Sequence, residues 1–306
     1  MGISPLYSIH QYSEEIYKVV AFKGVRDPEN PRVRDKEHEQ HYDAKLNEAF
    51  CRAKSLVLQY ALCNPWDFFF TGTLDKTKFN RYDLDEYQQK LSQFIRDKRK
   101  AYGTQVQYLL IPEHHEDGAW HVHGLLSGLP GGVLRRFRRP EPWKLVNSDY
   151  LNWPDYQQKF GFCSLGPVKH PVATSFYITK YVSKELSLRG KDVGKHLYFH
   201  SRPLKKAEHA SNVYFYNPGL DAVCVHDHDF CKTGMVQDAS WMFPYQWDGV
   251  EAINETPLDP PKPLEPETDF RPSEIDPFCE QLSIFCKCVS KAPAGKARHA
   301  VTYRVG

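Results

Sequence analysis

The most informative stretch of the chain reads Trp120-His121-Val122-His123-Gly124-Leu125-Leu126. Its apolar residues predict a strand, and because side chains alternate across a strand, His121 and His123 project from the same face. Two imidazoles at this spacing are within reach of a single metal ion. A His-x-His pair also occurs in ordinary cores and on surfaces, so a site for a hard metal requires an oxygen ligand as well.

The residues before this strand offer the oxygen ligand, and the length of the intervening turn decides which of them faces the histidines. If the loop is the two residues Asp117-Gly118, His114 lies opposite His121. If the loop is the three residues 116–118, with the glycine in the left-handed conformation, Glu113 lies opposite His121 instead. We favour the three-residue loop, so the hairpin is expected to bring a carboxylate to the histidine face.

The predicted metal ligands are therefore Glu113, His121 and His123. A carboxylate with two imidazoles suits Mn²⁺ or Mg²⁺ better than three imidazoles would, and a phosphate substrate requires such a hard cation. His114 and His115 remain alternatives for the third ligand, because either turn length is compatible with the sequence.

A second group of reactive side chains lies in the sequence Tyr177-Ile178-Thr179-Lys180-Tyr181-Val182-Ser183-Lys184. On a helix, the two tyrosines and two lysines at positions 177, 180, 181 and 184 fall on one stripe. An aromatic stripe is typical of a core, but here lysines interrupt it, which favours a functional role. A phenol is a weak nucleophile at neutral pH and needs a nearby cation or metal to favour its phenolate, which Lys180 would supply.

Strands and helices are expected to alternate through the middle of the chain. The helix over 83–102 is the clearest, because Asp83 caps it and Gly103 ends it, and its buried face carries Leu84, Tyr87, Leu91, Phe94 and Ile95. Hairpin strands interleaved with helices predict an α+β sheet with helices packed on it. The other predicted helices cover 38–61, 155–160 and 171–186, and the predicted strands cover 66–74, 106–111, 120–126, 162–165, 197–200 and 213–216.

Three of these segments, in this order, resemble the motifs of the HUH endonucleases, and specifically the replication initiators (Rep) of rolling-circle phages and plasmids. Phe70-Thr71-Gly72-Thr73-Leu74 resembles motif 1, His121-Val122-His123 resembles motif 2, and Tyr177 to Lys180 resembles the Y-x-x-K of motif 3. With Tyr181, the chain looks like the two-tyrosine initiators of small single-stranded DNA phages. The resemblance covers about residues 60–217 and departs from the family pattern at Asp75, where the family more often has threonine.

The resemblance implies an RRM-like or ferredoxin-like α+β fold with a central antiparallel sheet of about five strands flanked by helices. It also implies metal-dependent, site-specific nicking and joining of single-stranded DNA at an origin, through a 5′-phosphotyrosine that leaves a 3′-OH primer. The catalytic residues would be Tyr177, Tyr181 and Lys180. The DNA contacts would be made by Thr71, Thr73, Lys184, Arg135 and Arg136.

The chain is expected to divide into four parts. Residues 1–60 are predicted to form an N-terminal helical extension, residues 61–217 the HUH domain, and residues 218–248 an accessory segment packed on it. From residue 249 onward we expect a proline-rich acidic linker and tail, since ten acidic residues face two basic ones between positions 246 and 285. The formal charge of +2 over 306 residues conceals this asymmetry.

The tail contains a short apolar segment, residues 278–285, that suggests a binding partner. It resembles the short peptide by which bacterial replication proteins bind the DNA polymerase sliding clamp, with contacts from Gln281, Leu282, Ile284 and Phe285. The sequence contains no P-loop, so we expect the initiator to depend on a host helicase as well as a host polymerase. It also contains no signal-peptide core and no apolar run of membrane-spanning length, and we therefore expect a cytoplasmic protein without a membrane partner.

Two other classes of function are compatible with these residues. One is an origin-binding initiator or repressor that keeps the fold without chemistry, although the intact tyrosine, lysine and histidines argue against it. The other is an unrelated metal hydrolase with two histidines, a carboxylate and a water nucleophile, which gives the tyrosines no role. Separately, Cys224, His226, His228 and Cys231 are a weak candidate for a zinc site, because their spacing fits no common finger.

Overall fold

A computed structural model of the chain describes residues 5–23, 38–114, 117–189, 197–228, 231–237 and 263, with only the backbone of helical residues 38–48 and 183–189. A single 3₁₀ turn at Gly131–Val133 accompanies the regular elements. In chain order these are β1 (Tyr7–Gln11), β2 (Ile16–Phe22), α1 (His38–Leu62), β3 (Phe68–Thr73), α2 (Leu84–Tyr102), β4 (Gln107–His114), β5 (Trp120–Ser127), β6 (Arg135–Arg136), α3 (Trp143–Val146), β7 (Leu151–Asn152), α4 (Pro154–Lys159), β8 (Cys163–Pro167), α5 (Pro171–Arg189), β9 (Phe199–His200), β10 (Glu208–Val213), α6 (Pro218–Val223), β11 (His226–Asp227) and β12 (Cys231–Gln237).

The main sheet confirms the predicted α+β class. Its strands follow the order β6-β7-β8-β3-β5-β4-β9, and each neighbouring pair is antiparallel. It has seven strands rather than about five, because two-residue strands extend both edges. The strand with the two histidines, β5, lies between β3 and β4, where hydrogen bonds on both sides hold it rigidly.

Helix α2 covers one face of this sheet and matches its prediction closely. The Asp83 side chain accepts a hydrogen bond from the backbone N–H of Glu86, and Gly103 ends the helix in the left-handed conformation with φ 66°. All five apolar residues predicted for its inner face are buried. They pack against residues of β3, β4 and β5, including Phe70, Leu110 and Val122.

A polar cluster ties α2 to α4. The ammonium of Lys98 and the hydroxyl of Tyr102 both donate to the carboxylate of Asp155, and the indole N–H of Trp153 donates to the Tyr102 hydroxyl at 3.0 Å. The bond from Lys98, followed by that from Tyr102, holds the pKa of the Asp155 carboxyl below its ordinary value. Lys98 therefore contributes to the packing of α2 against α4.

Helices α1 and α5 cover the opposite face of the main sheet. Val57 of α1 and Ile178 of α5 are fully buried and pack in one cluster with Phe69, Ile111 and Leu125 of the strands. The histidines of β5 project toward this side, since His123 lies two residues before Leu125 on the same strand. Helix α5 is therefore the element that covers the candidate site.

A second, smaller sheet combines strands from the first and last parts of the described chain. Its order is β10-β1-β2-β12-β11, and it packs on α1 and α5 through Tyr12, Ile16, Leu62 and Met235. The predicted helical extension over residues 1–60 is wrong for residues 7–22, which form strands. The last predicted strand, at 213–216, lies instead at Glu208–Val213, and it belongs to this sheet rather than to the main one.

Gly124 permits a close approach of two central strands. A Cβ atom at this position would lie 2.1 Å from the backbone carbonyl oxygen of Leu109 on β4, a distance that requires the backbone to move. The residue directly after the histidine pair is therefore constrained by packing.

The proline-rich segment from residue 249 lies outside the described residues, apart from residue 263, and so do Gln281, Leu282, Ile284 and Phe285. Among the helices that the structure describes, none combines the length and the apolar character needed to cross a membrane.

Candidate functional site

The register of β3, β4 and β5 assembles the predicted metal ligands on one face. Glu113 pairs with His121 across β4 and β5, which confirms the register predicted for the three-residue loop. On the other side of β5, Thr73 pairs with His121 and Thr71 pairs with His123. Since paired residues share a face, these five side chains project together toward α5.

The carboxylate and one histidine are in direct contact. Oε2 of Glu113 lies 2.9 Å from Nε2 of His123, and both side chains are buried, as is that of His121. His114 pairs with Trp120 and lies against its indole, with ring centroids 3.5 Å apart. Because Trp120 belongs to the α2 face, His114 points away from the histidine pair, and His115 lies outside the described residues.

Two threonines of β3 contact the other ring nitrogens. Oγ1 of Thr71 lies 3.2 Å from Nδ1 of His123, and Oγ1 of Thr73 lies 3.4 Å from Nδ1 of His121. A hydroxyl both donates and accepts, so it can partner either tautomer of the imidazole. When Nδ1 of His123 accepts from the Thr71 hydroxyl, Nε2–H donates to the Glu113 carboxylate. When Nδ1 carries the proton and donates it to the threonine, Nε2 keeps the lone pair that a metal ion between it and Glu113 would need.

The Thr71 hydroxyl contacts a histidine inside the protein, whereas we expected it to contact DNA. We expected Thr71 and Thr73 to contact DNA, but only 2% of the Thr71 surface is exposed. Its hydroxyl reaches a buried histidine rather than the protein surface. Sequence reasoning missed this pairing, although the alternation Thr71-Gly72-Thr73 has the same two-residue period as the histidine pair on the neighbouring strand.

The two tyrosines of α5 reach this cluster from the helix side. The ring of Tyr181 stacks on that of His123, with centroids 4.3 Å apart and an interplanar angle of 17°. The hydroxyl of Tyr177 lies 3.0 Å from that of Tyr181. Phe69 of β3, which sequence reasoning did not single out, packs against both tyrosine rings. Tyrosines and histidines therefore form one buried cluster.

Lys180 of α5 is exposed to solvent, whereas the two tyrosines of the helix are buried. Lys180 is exposed, and its Nζ atom lies 5.8 Å from the centroid of the Tyr177 ring. The predicted stripe is thus split, with phenols turned to the sheet and the ammonium group at the boundary with solvent. Lys184 lies on α5, but its side chain is outside the described residues.

The donor set has the chemistry of a metal site, although it is not assembled as one. Two neighbouring ligands of an octahedral hard cation lie about 3 Å apart when each metal–ligand bond is about 2.1 Å long. The 2.9 Å contact between Glu113 and His123 has that spacing. Within the described ranges, however, no three or more His, Cys, Asp and Glu side chains are arranged so that they hold a metal ion. A complete ligand set would need a side-chain adjustment.

The residues of the weak zinc candidate make other contacts. Cys224 is buried with its thiol against the backbone carbonyl of Val19, while His228 contacts the Thr233 hydroxyl at 3.1 Å. In the part of the chain that the structure describes, the four residues do not form a metal-holding group. Burial raises the pKa of the Cys224 thiol to about 11, which favours the inert thiol form.

The two arginines predicted to contact DNA differ in their exposure and in their hydrogen bonds within the protein. The guanidinium of Arg135 makes two hydrogen bonds to the carboxylate of Glu141, at 2.8 and 2.7 Å. Arg136 is exposed. Arg135 is therefore already engaged within the protein, whereas Arg136 has its side chain at the surface.

A comparison with protein families matches the part of the chain that holds this site. Residues 67–186 match the family model Replication-associated protein ORF2/G2P. The matched region contains β3, β5 and most of α5, and thus every residue of the histidine and tyrosine cluster. No curated protein and no solved structure gave a significant match. Over the region that holds the site, the chain is therefore similar to replication-associated proteins.

Proposed function

We propose that this protein initiates rolling-circle replication by nicking and joining single-stranded DNA at an origin. The observation that carries the proposal is the contact of Tyr181 with His123, which joins the tyrosine pair of α5 and the histidine pair of β5 into one cluster. The match of residues 67–186 to a replication-associated family supports the same biological role.

In the proposed nicking step, the phenolic oxygen of Tyr177 attacks the phosphorus of the scissile phosphodiester, and the bond from phosphorus to the 3′ oxygen breaks. Tyr177 loses its proton and the departing oxygen gains one. The products are a 5′-phosphotyrosyl protein and a free 3′-OH. The ammonium of Lys180, near the Tyr177 ring, favours the phenolate by its charge.

We propose that Glu113, His121 and His123 hold Mn²⁺ or Mg²⁺ at this site. When bound, such an ion supplies a Lewis acid that polarises the scissile phosphate. The carboxylate of Glu113 supplies the hard oxygen donor, and Thr71 and Thr73 hold the two imidazoles with their Nδ1 atoms turned away from it. Glu113 or His121 would have to adjust to complete the ligand set.

The second tyrosine gives the protein a means of finishing a replication round. In the proposed cycle, Tyr181 cuts the regenerated origin while Tyr177 still carries the first strand. The new 3′-OH then attacks the first phosphotyrosine, which forms a phosphodiester and releases Tyr177. The two hydroxyls lie 3.0 Å apart, so both face one point of the site, and because both side chains are buried the cluster has to open before DNA enters.

A covalent adduct assay tests the proposal. Full-length protein is incubated with Mn²⁺ and labelled single-stranded DNA carrying candidate origins, and the products are separated on a denaturing gel. The parent protein should give a protein–DNA band, and Tyr177→Phe should abolish it while retaining DNA binding. Tyr60→Phe is the matched control, because Tyr60 is buried in the same apolar cluster and should leave the band unchanged.

The possible outcomes separate the candidate functions. DNA binding without an adduct, whichever metal ion is added, would favour the non-catalytic origin-binding function. Cleavage without an adduct in the double substitution Tyr177→Phe and Tyr181→Phe would favour a hydrolase with a water nucleophile. Adduct formation in Tyr177→Phe but not in Tyr181→Phe would exchange the roles of the two tyrosines.

We also propose that the tail recruits the bacterial sliding clamp and that a host helicase and polymerase extend the 3′-OH. The proposal rests on the apolar residues Leu282, Ile284 and Phe285, which a clamp groove would bury at about 1.5–3 kcal/mol each. A fluorescent peptide of residues 277–290 should bind purified clamp saturably. Binding that is unchanged by the double substitution Leu282→Ala and Phe285→Ala would contradict the proposal.

A further inference from the structure

A small lobe beside the main sheet exposes a tryptophan. The lobe spans β6, α3 and β7, and its core consists of Phe137, Leu145 and Tyr150. Because Leu145 of α3 is turned into this core, Trp143 at the start of the same short helix is turned outward, and 68% of its surface is exposed. An exposed aromatic ring on a well-packed support is a surface that a planar partner can stack on.

Basic residues flank this ring along the chain. Residues 128–150 contain five basic residues and two acidic residues, Glu141 and Asp149, and the Asp149 carboxylate pairs with Lys169 at 2.7 Å. Arg136, Arg138 and Arg139 are exposed, and Nζ of Lys144 lies 5.7 Å from the centroid of the Trp143 ring. A polyanion bound to this segment would meet three exposed arginines and a lysine within seven residues of the exposed ring.

Neither acidic residue of the segment cancels this charge. Glu141 accepts two hydrogen bonds from Arg135 and a third, at 2.7 Å, from the backbone N–H of Arg138. The pKa of its carboxyl is lowered, first by the bond from Arg135, so it stays ionised as the partner of that arginine. The Arg135–Glu141 pair thus shapes the loop, and the charges of the remaining four cations are left for a partner.

The lobe lies on the same sheet as the candidate site, at a distance suited to a flanking DNA segment. Four strand-to-strand steps separate β6 from β5, which corresponds to about 19 Å at about 4.8 Å per step. About six nucleotides cover that distance at the stacked spacing of about 3.4 Å per nucleotide. A strand cut at α5 would therefore reach the lobe within a short oligonucleotide.

We propose that Trp143, with Arg136, Arg138, Arg139 and Lys144, binds single-stranded DNA beside the cleavage site. This inference rests on the proposed function for the identity of the nucleic acid. A base stacks on the Trp143 ring while the cations contact phosphates, which is the combination that single-stranded DNA-binding surfaces use. An anionic membrane is a poorer match, because the other apolar residues of the four-residue helix α3 face the core of the lobe.

Fluorescence anisotropy with a labelled 20-nucleotide oligothymidylate, in EDTA so that no cleavage occurs, tests this inference on the full chain. Trp143→Ala should weaken binding by about 5- to 100-fold, and Trp143→Phe should restore most of the loss. Arg136→Gln and Arg138→Gln should each lower the slope of log affinity against log salt by about 0.7. Tyr216→Ala is the matched control, because Tyr216 is 66% exposed but lies outside the basic segment.

Equal binding by the parent and by Trp143→Ala would overturn the inference, as would a loss of equal size in Tyr216→Ala. So would weaker binding to phosphatidylserine vesicles in Trp143→Ala with oligonucleotide binding unchanged, which would make the partner a membrane. The adduct assay separates this inference from the proposed function. Trp143-dependent binding without any adduct refutes nicking alone, whereas normal nicking with binding that ignores Trp143 refutes the inference alone.

Discussion

Replacing Thr71 by valine should loosen the candidate site without changing its packing. The two side chains have nearly the same size, so the substitution removes only the hydroxyl that lies 3.2 Å from Nδ1 of His123. Thr71 and His123 are both buried, so water cannot readily take the place of the hydroxyl. Loss of a buried hydrogen-bond partner costs about 1–3 kcal/mol, and the free energy of unfolding of the metal-free protein should fall by about that amount.

The same substitution should weaken Mn²⁺ binding by about 10- to 100-fold, since removal of a hydrogen bond behind a metal-binding histidine has effects of this size. Calorimetric titration with Mn²⁺ measures the affinity, and urea unfolding in metal-free buffer measures the stability. Ser164→Ala is the matched control. Ser164 pairs with Thr71 on the neighbouring strand β8 and is equally buried, and its hydroxyl has no hydrogen-bond partner among the described residues.

Two results would refute the reasoning about Thr71. One is unchanged Mn²⁺ affinity and unchanged unfolding free energy in Thr71→Val, measured beside a parent protein that does bind Mn²⁺. The other is an equal loss in Ser164→Ala, which would indicate a general disturbance of the sheet. If the parent itself binds no Mn²⁺, the proposed metal site fails, while urea unfolding still tests the hydrogen bond.

Tyr181→Phe should form one covalent adduct with DNA but fail to complete strand transfer, because only Tyr177 keeps a nucleophilic oxygen; a joined product on a sequencing gel would contradict this. Gly124→Ala should lower the free energy of unfolding by about 1–3 kcal/mol, because the added Cβ atom clashes with the backbone of β4. Gly132→Ala is the control for the same urea titration and should be neutral, since a Cβ atom there meets no atom within 4 Å. The lowered pKa of Asp155 means that its ion pair stabilises the folded state above about pH 4 and is lost as the pH falls through the folded pKa. The stability difference between the parent and Asp155→Asn should therefore shrink between pH 6 and pH 3, and a constant difference would show that the pair contributes nothing.

Local sequence patterns correctly predicted those elements whose stabilising interactions lie within a few residues of each other. Helix α2 begins after Asp83 and ends at Gly103 as its capping residues predict, since each cap is formed within a few residues of the helix end. The pairing of Glu113 with His121 was predictable for the same reason, because a short turn sets the register of the two strands it connects.

The small sheet could not be predicted because its pairings are not local. Strand β1 pairs with β10, and Tyr7 lies opposite Val213, 206 residues later in the chain. Such short strands lack a long hydrophobic period, and the partners that stabilise them are distant in sequence. For the same reason the aromatic residues 214–216 suggested a strand, whereas the structure exposes them beyond the end of β10.

The identity of the reactive groups and the shared face of His121 and His123 could be read from the sequence, because alternation along a strand depends on the backbone alone. The contacts between these groups depend on how the strands and helices pack. The register between β3 and β5 places the Thr71 hydroxyl on a histidine 52 residues away, and the packing of α5 stacks Tyr181 on His123. Hydrogen bonds and ring stacking require positions defined to a few tenths of an ångström, and only the packing of the whole domain defines positions that closely.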